Sequence, residues 1–418
     1  MEQTGPETES SRHFDPFAHP AEKEIAIMKA FINANLVFPD IVRFGTVLVE
    51  NGLILASGDV IPPSSAEVID VGGAYLGPGL VDIHVHGFAS AEGKPEFYSA
   101  DRNPAEMALA HLRTGTTSIT PSAAYSWNKE CFLSCIEKCR QAMEKGNTPI
   151  VGIHFEGPFT NPNYGANSEQ AWTYSKENCD LIFDAAADAV LHCTYAPELP
   201  CAPELEDYLA SRGIVMDIGH TELSPADAAR AVKRGAKIVT HLFDAMGCWR
   251  GRDSISETGI LQESADTILL ATRGLYYELI CDSRSVHVKP ENIRLALRAA
   301  GEDAIILVTD CVDYASHNPH DYPGDNPKSA PDLNYNSEGQ LSGSRLVLSQ
   351  ACRNFMKFTG ADVRTAFKCA ATNPAAALGL DQKIGSIMPG RDANLLIVDE
   401  AFQVQAVYFR GEQVVSFQ

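Results

Sequence analysis

Between residues 77 and 383 the chain alternates short apolar runs with longer stretches of mixed polarity. Eight runs stand out, at 79–87, 116–122, 149–157, 190–198, 213–220, 236–243, 275–282 and 304–310. Each has the length of a strand and the composition of a buried one. The stretches between them, among them 103–114, 128–146, 224–235 and 290–300, have helical composition. Asn103-Pro104 and Ser224-Pro225 read as a cap followed by a first-turn proline. Eight buried β-runs, each followed by a helix, predict an α/β fold of the (β/α)8 TIM-barrel type over 77–383. Residues 24–76 and 384–418 carry short β-type runs separated by turns, and predict a small β-sandwich domain built from both chain ends. A doubly wound open sheet fits less well, because no glycine-rich phosphate loop follows the first run.

Composition narrows the class. Of 418 residues, 45% are hydrophobic and 21% charged, the balance of a folded soluble enzyme. A net charge of −21 argues against a nucleic-acid or anionic-membrane partner. No stretch approaches the roughly 20 apolar residues that span a bilayer. Residues 1–23 lack the basic start and apolar centre of a signal peptide, and read as a polar tail. The 11 cysteines are odd in number and scattered, which suits free thiols in a reducing cytoplasm. Cys131, Cys135 and Cys139 share one helix face, better read as half-buried packing than as a metal site.

The chemistry lies where the apolar runs end. "PGLVDIHVHG" places Asp82, His84 and His86 at alternate positions, so on a regular strand they share a face. His154 and Glu156 end the third run, His220 the fifth, His241 the sixth, Asp282 the seventh and Asp310 the eighth. In a barrel these ends form one rim, where active sites are built. A lone histidine or strand-end aspartate is ordinarily a structural hydrogen-bonding residue or a helix cap. Five of 12 histidines and several carboxylates on one rim instead suit a divalent transition metal, Zn2+ or Fe2+.

Together, "PGLVDIHVHG", "HFEGPF", "GHTE", "THLFDAM", "LVTD", "LSGS" and "NPAAALGL…IGSIMPGRDANLLIVD" resemble the N-acetylglucosamine-6-phosphate deacetylases of the amidohydrolase superfamily, over roughly residues 30–415. The resemblance implies that Glu156, His220 and His241 ligate the principal metal, and that His84 and His86 allow a second one. It makes Asp310 the catalytic acid/base, and places His287, Asn167, Asp244, Ala245 and Arg252 at the substrate. Arg252 corresponds to a phosphate-binding arginine lent across a homodimer interface, and Arg250 lies beside it. One or two cations per subunit and a small amino-sugar substrate are expected.

Four departures from the family pattern bear on substrate. Asp244 replaces the usual Asn, and a carboxylate would repel a sugar phosphate. Asn167 replaces a histidine that polarises the carbonyl. "CDSRSVH" is two residues longer between Asp282 and His287 than expected, and brings in Arg284. Residues 311–340, rich in Pro, Asn and Asp, read as one long lid loop containing His317 and His320. These departures imply a divergent branch. A different N-acylated amino sugar, phosphorylated or not, and a non-catalytic barrel scaffold are the competing readings.

Overall fold

The computed structural model describes residues 28–89, 97–166, 168–248, 263–313 and 330–416. Strands β1 (Lys29–Val37), β2 (Val42–Glu50), β3 (Leu53–Gly58), β4 (Glu67–Asp70) and β5 (Tyr75–Pro78) open the chain. The end of the chain supplies β18 (Leu395–Val398), β19 (Val404–Phe409) and β20 (Glu412–Ser416). These eight pair into one sheet in the order β20-β19-β18-β5-β1-β2-β3, with β4 alongside β1. The expected small β domain built from both chain ends is therefore present, its strands joined by hydrogen bonds into one sheet. Phe31, Leu36, Val47, Ile54, Leu76, Leu395 and Tyr408 form its own apolar core.

The second large sheet holds the eight runs. Its strands are β6 (Leu80–Val85), β9 (Thr116–Ala124), β10 (Ile153–Glu156), β11 (Val190–Tyr195), β12 (Val215–Ile218), β13 (Ala236–Val239), β14 (Tyr276–Ile280) and β15 (Ile305–Val308). All pair in parallel, in chain order from β6 to β15. The ring closes between its first and last members, where Asp310 N–H donates to the His84 carbonyl at 2.9 Å and His86 N–H to Cys311 O at 2.8 Å. The expected TIM-type barrel is therefore present. A small hairpin, β7 (Gly87–Ala89) with β8 (Phe97–Ser99), follows the first barrel strand.

Helices lie outside the ring, among them α1 (Pro104–Leu112), α2 (Lys129–Glu144), α3 (Lys176–Ala186), α4 (Ala202–Ser211), α5 (Pro225–Lys233), α6 (Ala265–Ala271), α7 (Pro290–Ala300) and α8 (Leu348–Thr359). Ser224 caps α5 in a full capping box with Asp227, as its Ser-Pro start predicts. Asn103 precedes α1 but turns its side chain elsewhere, accepting the Ser99 N–H at 2.7 Å. Cys135 and Cys139 pack in the core with Cys131 half-exposed, and all 11 cysteines are free thiols.

The stretch 311–340 departs from a single long loop. Its residues 314–329, with His317 and His320, lie outside the described residues. Beyond them the chain forms a hairpin of β16 (Leu333–Tyr335) and β17 (Leu341–Ser344), which bridges back to Cys311 at the barrel rim. Pairing to the rim gives these backbone groups partners that a loop would seek in water.

Candidate active site

The barrel lumen is unusually polar for a packed interior. Asp82, Thr120, Ser122, His154, His192, Asp217, Thr240 and Glu278 are fully buried there. The reason lies at the rim, where strand ends deliver a cluster of imidazoles and carboxylates that needs buried polar partners. His220, His241 and Asp310 each stand two residues past the end of a strand, with φ of +49°, +28° and +47°. A non-glycine residue held at positive φ costs on the order of 1–3 kcal/mol, and such strain persists where the surrounding structure over-determines it. Here the backbone turns sharply to aim each side chain inward.

Glu156, the last residue of β10, is the hub. Its Oε1 lies 2.9 Å from His220 Nε2, 3.3 Å from His241 Nε2 and 3.4 Å from His84 Nε2. Its Oε2 lies 3.2 Å from His86 Nε2. Asp310 Oδ1 completes the ring, 3.3 Å from His86 Nε2 and 3.7 Å from His84 Nε2. All four histidines present the same nitrogen to this centre, because the other is committed. Nδ1–H donates to Glu278 Oε2 in His84 (3.1 Å), to Ser122 O in His86 (3.0 Å), to Tyr164 O in His220 (2.9 Å) and to Asp244 O in His241 (3.2 Å). Gly165 lets the loop pass over His220, since a Cβ there would meet the imidazole Nδ1 at 2.6 Å.

This donor set fits a cation. His220 Nε2 and His241 Nε2 are 3.0 Å apart, a repulsive approach of two lone pairs unless something positive lies between them. His84 Nε2 is buried without a hydrogen-bond partner. Two groups of three ligand atoms share the hub: His84, His86 and Glu156, and Glu156, His220 and His241. Imidazoles held by outer partners, together with a carboxylate, are what zinc and iron sites use. Without a cation, protons balance the charges. Burial opposes a charged imidazole, but Glu156, Glu278 and Asp310 outweigh it and hold His84 well above its usual pKa. For His86, burial is offset by Asp310 and Glu156, raising it to about 9. Burial would raise Glu156, yet bonds from His220, His241 and His84 hold it well below the carboxylate range. A cation would displace those protons, so its binding competes with acid.

The centre opens into a pocket walled by Tyr125 and Trp127, by Asp244 and Ala245, and by Leu341 and Gly343. The Tyr125 ring packs 4.5 Å from that of His220. Asp244 lines the pocket, with its Oδ1 accepting the Ala245 N–H at 2.9 Å. His287 is buried in the fold's polar interior but is not part of this wall. Its Nδ1–H donates to Asp282 at 3.1 Å, and its Nε2 has no hydrogen-bond partner. Asp282 also accepts the backbone N–H groups of Arg284, Val286 and His287, so it shapes the extended turn rather than the rim. Asn167, Arg250 and Arg252 lie outside the described residues.

Three things were not foreseen. Glu278 on β14 bonds both His84 Nδ1 and the His241 N–H (3.1 Å), yet nothing flags it in "LYYELICD" except a carboxylate inside an apolar run. Asp82 does not reach the centre. It accepts from Thr309 Oγ1 (2.6 Å) and from the His84 N–H (3.3 Å), and burial raises its pKa to about 7. A third histidine–carboxylate group, His154, His192 and Asp217, lies deeper in the lumen.

Comparison with known proteins follows this geometry. Residues 75–414 match the family model described as the amidohydrolase family. The N-acetylglucosamine-6-phosphate deacetylase of Bos taurus is 30% identical over 395 residues, covering 90% of this chain and 93% of that one. The Bacillus subtilis (strain 168) protein of the same name is 27% identical over 385 residues, covering 89% and 93%. Among solved structures, the Pasteurella multocida deacetylase of that name superposes with a TM-score of 0.79 at 26% identity, covering 93% of this chain and all of its own.

Proposed function

The chain belongs to the amidohydrolase family and, within it, to the N-acetylglucosamine-6-phosphate deacetylases, and from that premise we propose that it hydrolyses N-acetylglucosamine 6-phosphate to glucosamine 6-phosphate and acetate. The observation that carries this reading is the convergence of four imidazole Nε2 atoms on Glu156 at 2.9–3.4 Å, with Asp310 Oδ1 at 3.3 and 3.7 Å from two of them.

In this reading Glu156, His220 and His241 hold the principal cation, and His84 and His86 share Glu156 with a second, zinc and iron being the metals this donor set suits. A cation held there supplies Lewis acidity, lowering the pKa of water and polarising the amide carbonyl. Asp310 acts as base and then acid. It accepts the proton of the attacking water as the new C–O bond forms, then returns it to the sugar nitrogen as the C–N bond breaks. The aromatic wall of Tyr125 and Trp127 keeps bulk water from the centre on one side. His287, Asn167, Ala245 and Arg252 bind the sugar in this scheme, with Arg252 meeting the phosphate from a homodimer partner. The barrel of 77–383 would be the catalytic domain and the chain-end sheet its support. A cytoplasmic setting accords with 11 free thiols.

A second reading has a specific observation behind it. Asp244 lines the pocket with a carboxylate, which disfavours a phosphate dianion and favours an unphosphorylated N-acyl amino sugar. Acetate release from N-acetylglucosamine with and without the 6-phosphate, on protein loaded with Zn2+ or Fe2+, separates the two. Faster turnover of the phosphorylated sugar is expected. Preference for the free sugar transfers the conclusion to the second reading, and no acetate from either defeats both.

A further inference from the structure

The first barrel strand is irregular where it carries its two imidazoles. Between Asp82 and Val85, three steps on β6 span only two on β9, from Ile119 to Pro121. An extra residue of this kind re-aims side chains and takes backbone groups out of the ladder. The backbone groups around the irregularity have dedicated partners. Thr120 Oγ1 donates to Ile83 O at 2.8 Å, and Asp82 accepts the His84 N–H. Asp310 N–H donates to His84 O, and Ser122 Oγ accepts the Val85 N–H at 2.9 Å.

The two hydroxyls are themselves held from deeper in the lumen. Thr120 Oγ1 meets His192 Nε2 at 3.0 Å, and Ser122 Oγ meets His154 Nδ1 at 2.9 Å. The two rings stack at 4.1 Å and 7°. His192 Nδ1 is anchored on Asp217 Oδ2 at 2.5 Å, and His154 Nε2 on Thr194 Oγ1 at 3.0 Å. Proton counting fixes the sense of one link. Thr120 has a single hydroxyl proton, already given to Ile83 O, so His192 Nε2 must be the donor to Thr120. With its nitrogens occupied by hydroxyls and Asp217, this third histidine–carboxylate group is not poised to ligate a metal.

We infer that Asp217, His192, His154, Thr120 and Ser122 form a positioning network for the β6 irregularity, and that it selectively supports the cation held by His84 and His86. This rests on the two-cation reading above. Among the described residues, the side-chain hydrogen bonds of these five run to β6, to Thr194 and to one another, and none reaches His220 or His241. The network therefore acts on one site of the pair.

The test is metal uptake rather than turnover. Apo full-length wild type, Thr120→Val, Ser122→Ala and Asp217→Asn would be titrated with Zn2+, reading stoichiometry by elemental analysis and affinity by chelator competition. Both threonine and serine variants are near-isosteric and keep the Ser122 carbonyl that orients His86. Wild type should bind two equivalents. Each variant should keep the first within about threefold and lose about 10- to 100-fold in affinity for the second, as outer-partner substitutions do. Asp217→Asn should add little in a Thr120→Val background, because both act on the same link. Unchanged second-equivalent affinity in Thr120→Val and Ser122→Ala overturns the network alone, as does equal weakening of both equivalents. A wild type that takes up fewer than two equivalents overturns the two-cation reading and this inference with it.

Discussion

At the residue scale, the site depends on which nitrogen each imidazole is forced to present. Four Nδ1–H groups are tied to three backbone carbonyls and Glu278, so four Nε2 lone pairs face Glu156 without any rotamer search. That preorganisation is what lets one carboxylate serve as hub, since a looser ring would lose affinity by turning away. Asp310 is held differently. Its φ of +47° and its N–H bond to His84 O fix the carboxylate beside His86 and His84. Asp310→Asn keeps the shape but removes the proton acceptor. Turnover is expected to fall about 10²- to 10⁴-fold with the principal cation retained, measured by acetate release beside metal content. Full activity in that variant refutes the role assigned to Asp310.

At the element scale, strands deliver the chemistry and their partners hold it at the right depth. The hairpin of β16 and β17 does this for Asp310, since the Ser344 N–H donates to Asp310 O at 2.7 Å. Gly343, just before it, sits at φ +57°, and a Cβ there would lie 2.6 Å from Val312 Cγ1 and 2.8 Å from Asp310 O. Neither the conformation nor the space admits alanine, and backbone oxygen cannot swing aside. Gly343→Ala is therefore expected to destabilise by about 1–3 kcal/mol through strain and overpacking. Because the displaced atom belongs to Asp310, kcat should drop as well. Thermal melts and kinetics on one preparation check this, and a normal kcat at lowered Tm would separate the hairpin from catalysis.

At the scale of the whole molecule, the barrel floor and the chain-end sheet are joined by charge. On α9 (Val363–Phe367), Arg364 bonds Glu302 twice at 2.9 Å and also donates to Pro39 O, between β1 and β2. Lys368 bonds Asp40 at 3.0 Å and contacts Glu302 and Asp303. Arg364, against the mild opposition of burial, lowers Glu302 from 4.5 to about 2. A depressed carboxylate stabilises the fold above its unfolded pKa, and that contribution fades as pH falls through the folded value. Glu302→Gln should thus cost roughly 1 kcal/mol or less near neutrality, the group being one-third exposed. The gap from wild type should hold down to about pH 5 and narrow from there toward pH 2, as read by urea melts across pH. A gap that widens with acid would reverse the assignment.

The eight barrel strands, the rim position of His84, His86, Glu156, His220, His241 and Asp310, and the family motifs were all legible from order and spacing along the chain. That is because burial periodicity and strand-end position are local properties, set by residues a few places apart. Glu278 beneath His84, 194 residues away, was not legible, and neither was the diversion of Asp82 to Thr309, 227 away. Those pairings exist only once the ring closes and brings β6 against β15 and the lumen side chains together. The irregularity in β6 is of the same kind. A run read alone alternates faces regularly, but an extra residue is defined only against the partner strand that lacks it. Local pattern therefore determined which residues stand near strand ends, and only tertiary pairing decided which of them reach the rim, which meet and what holds them there.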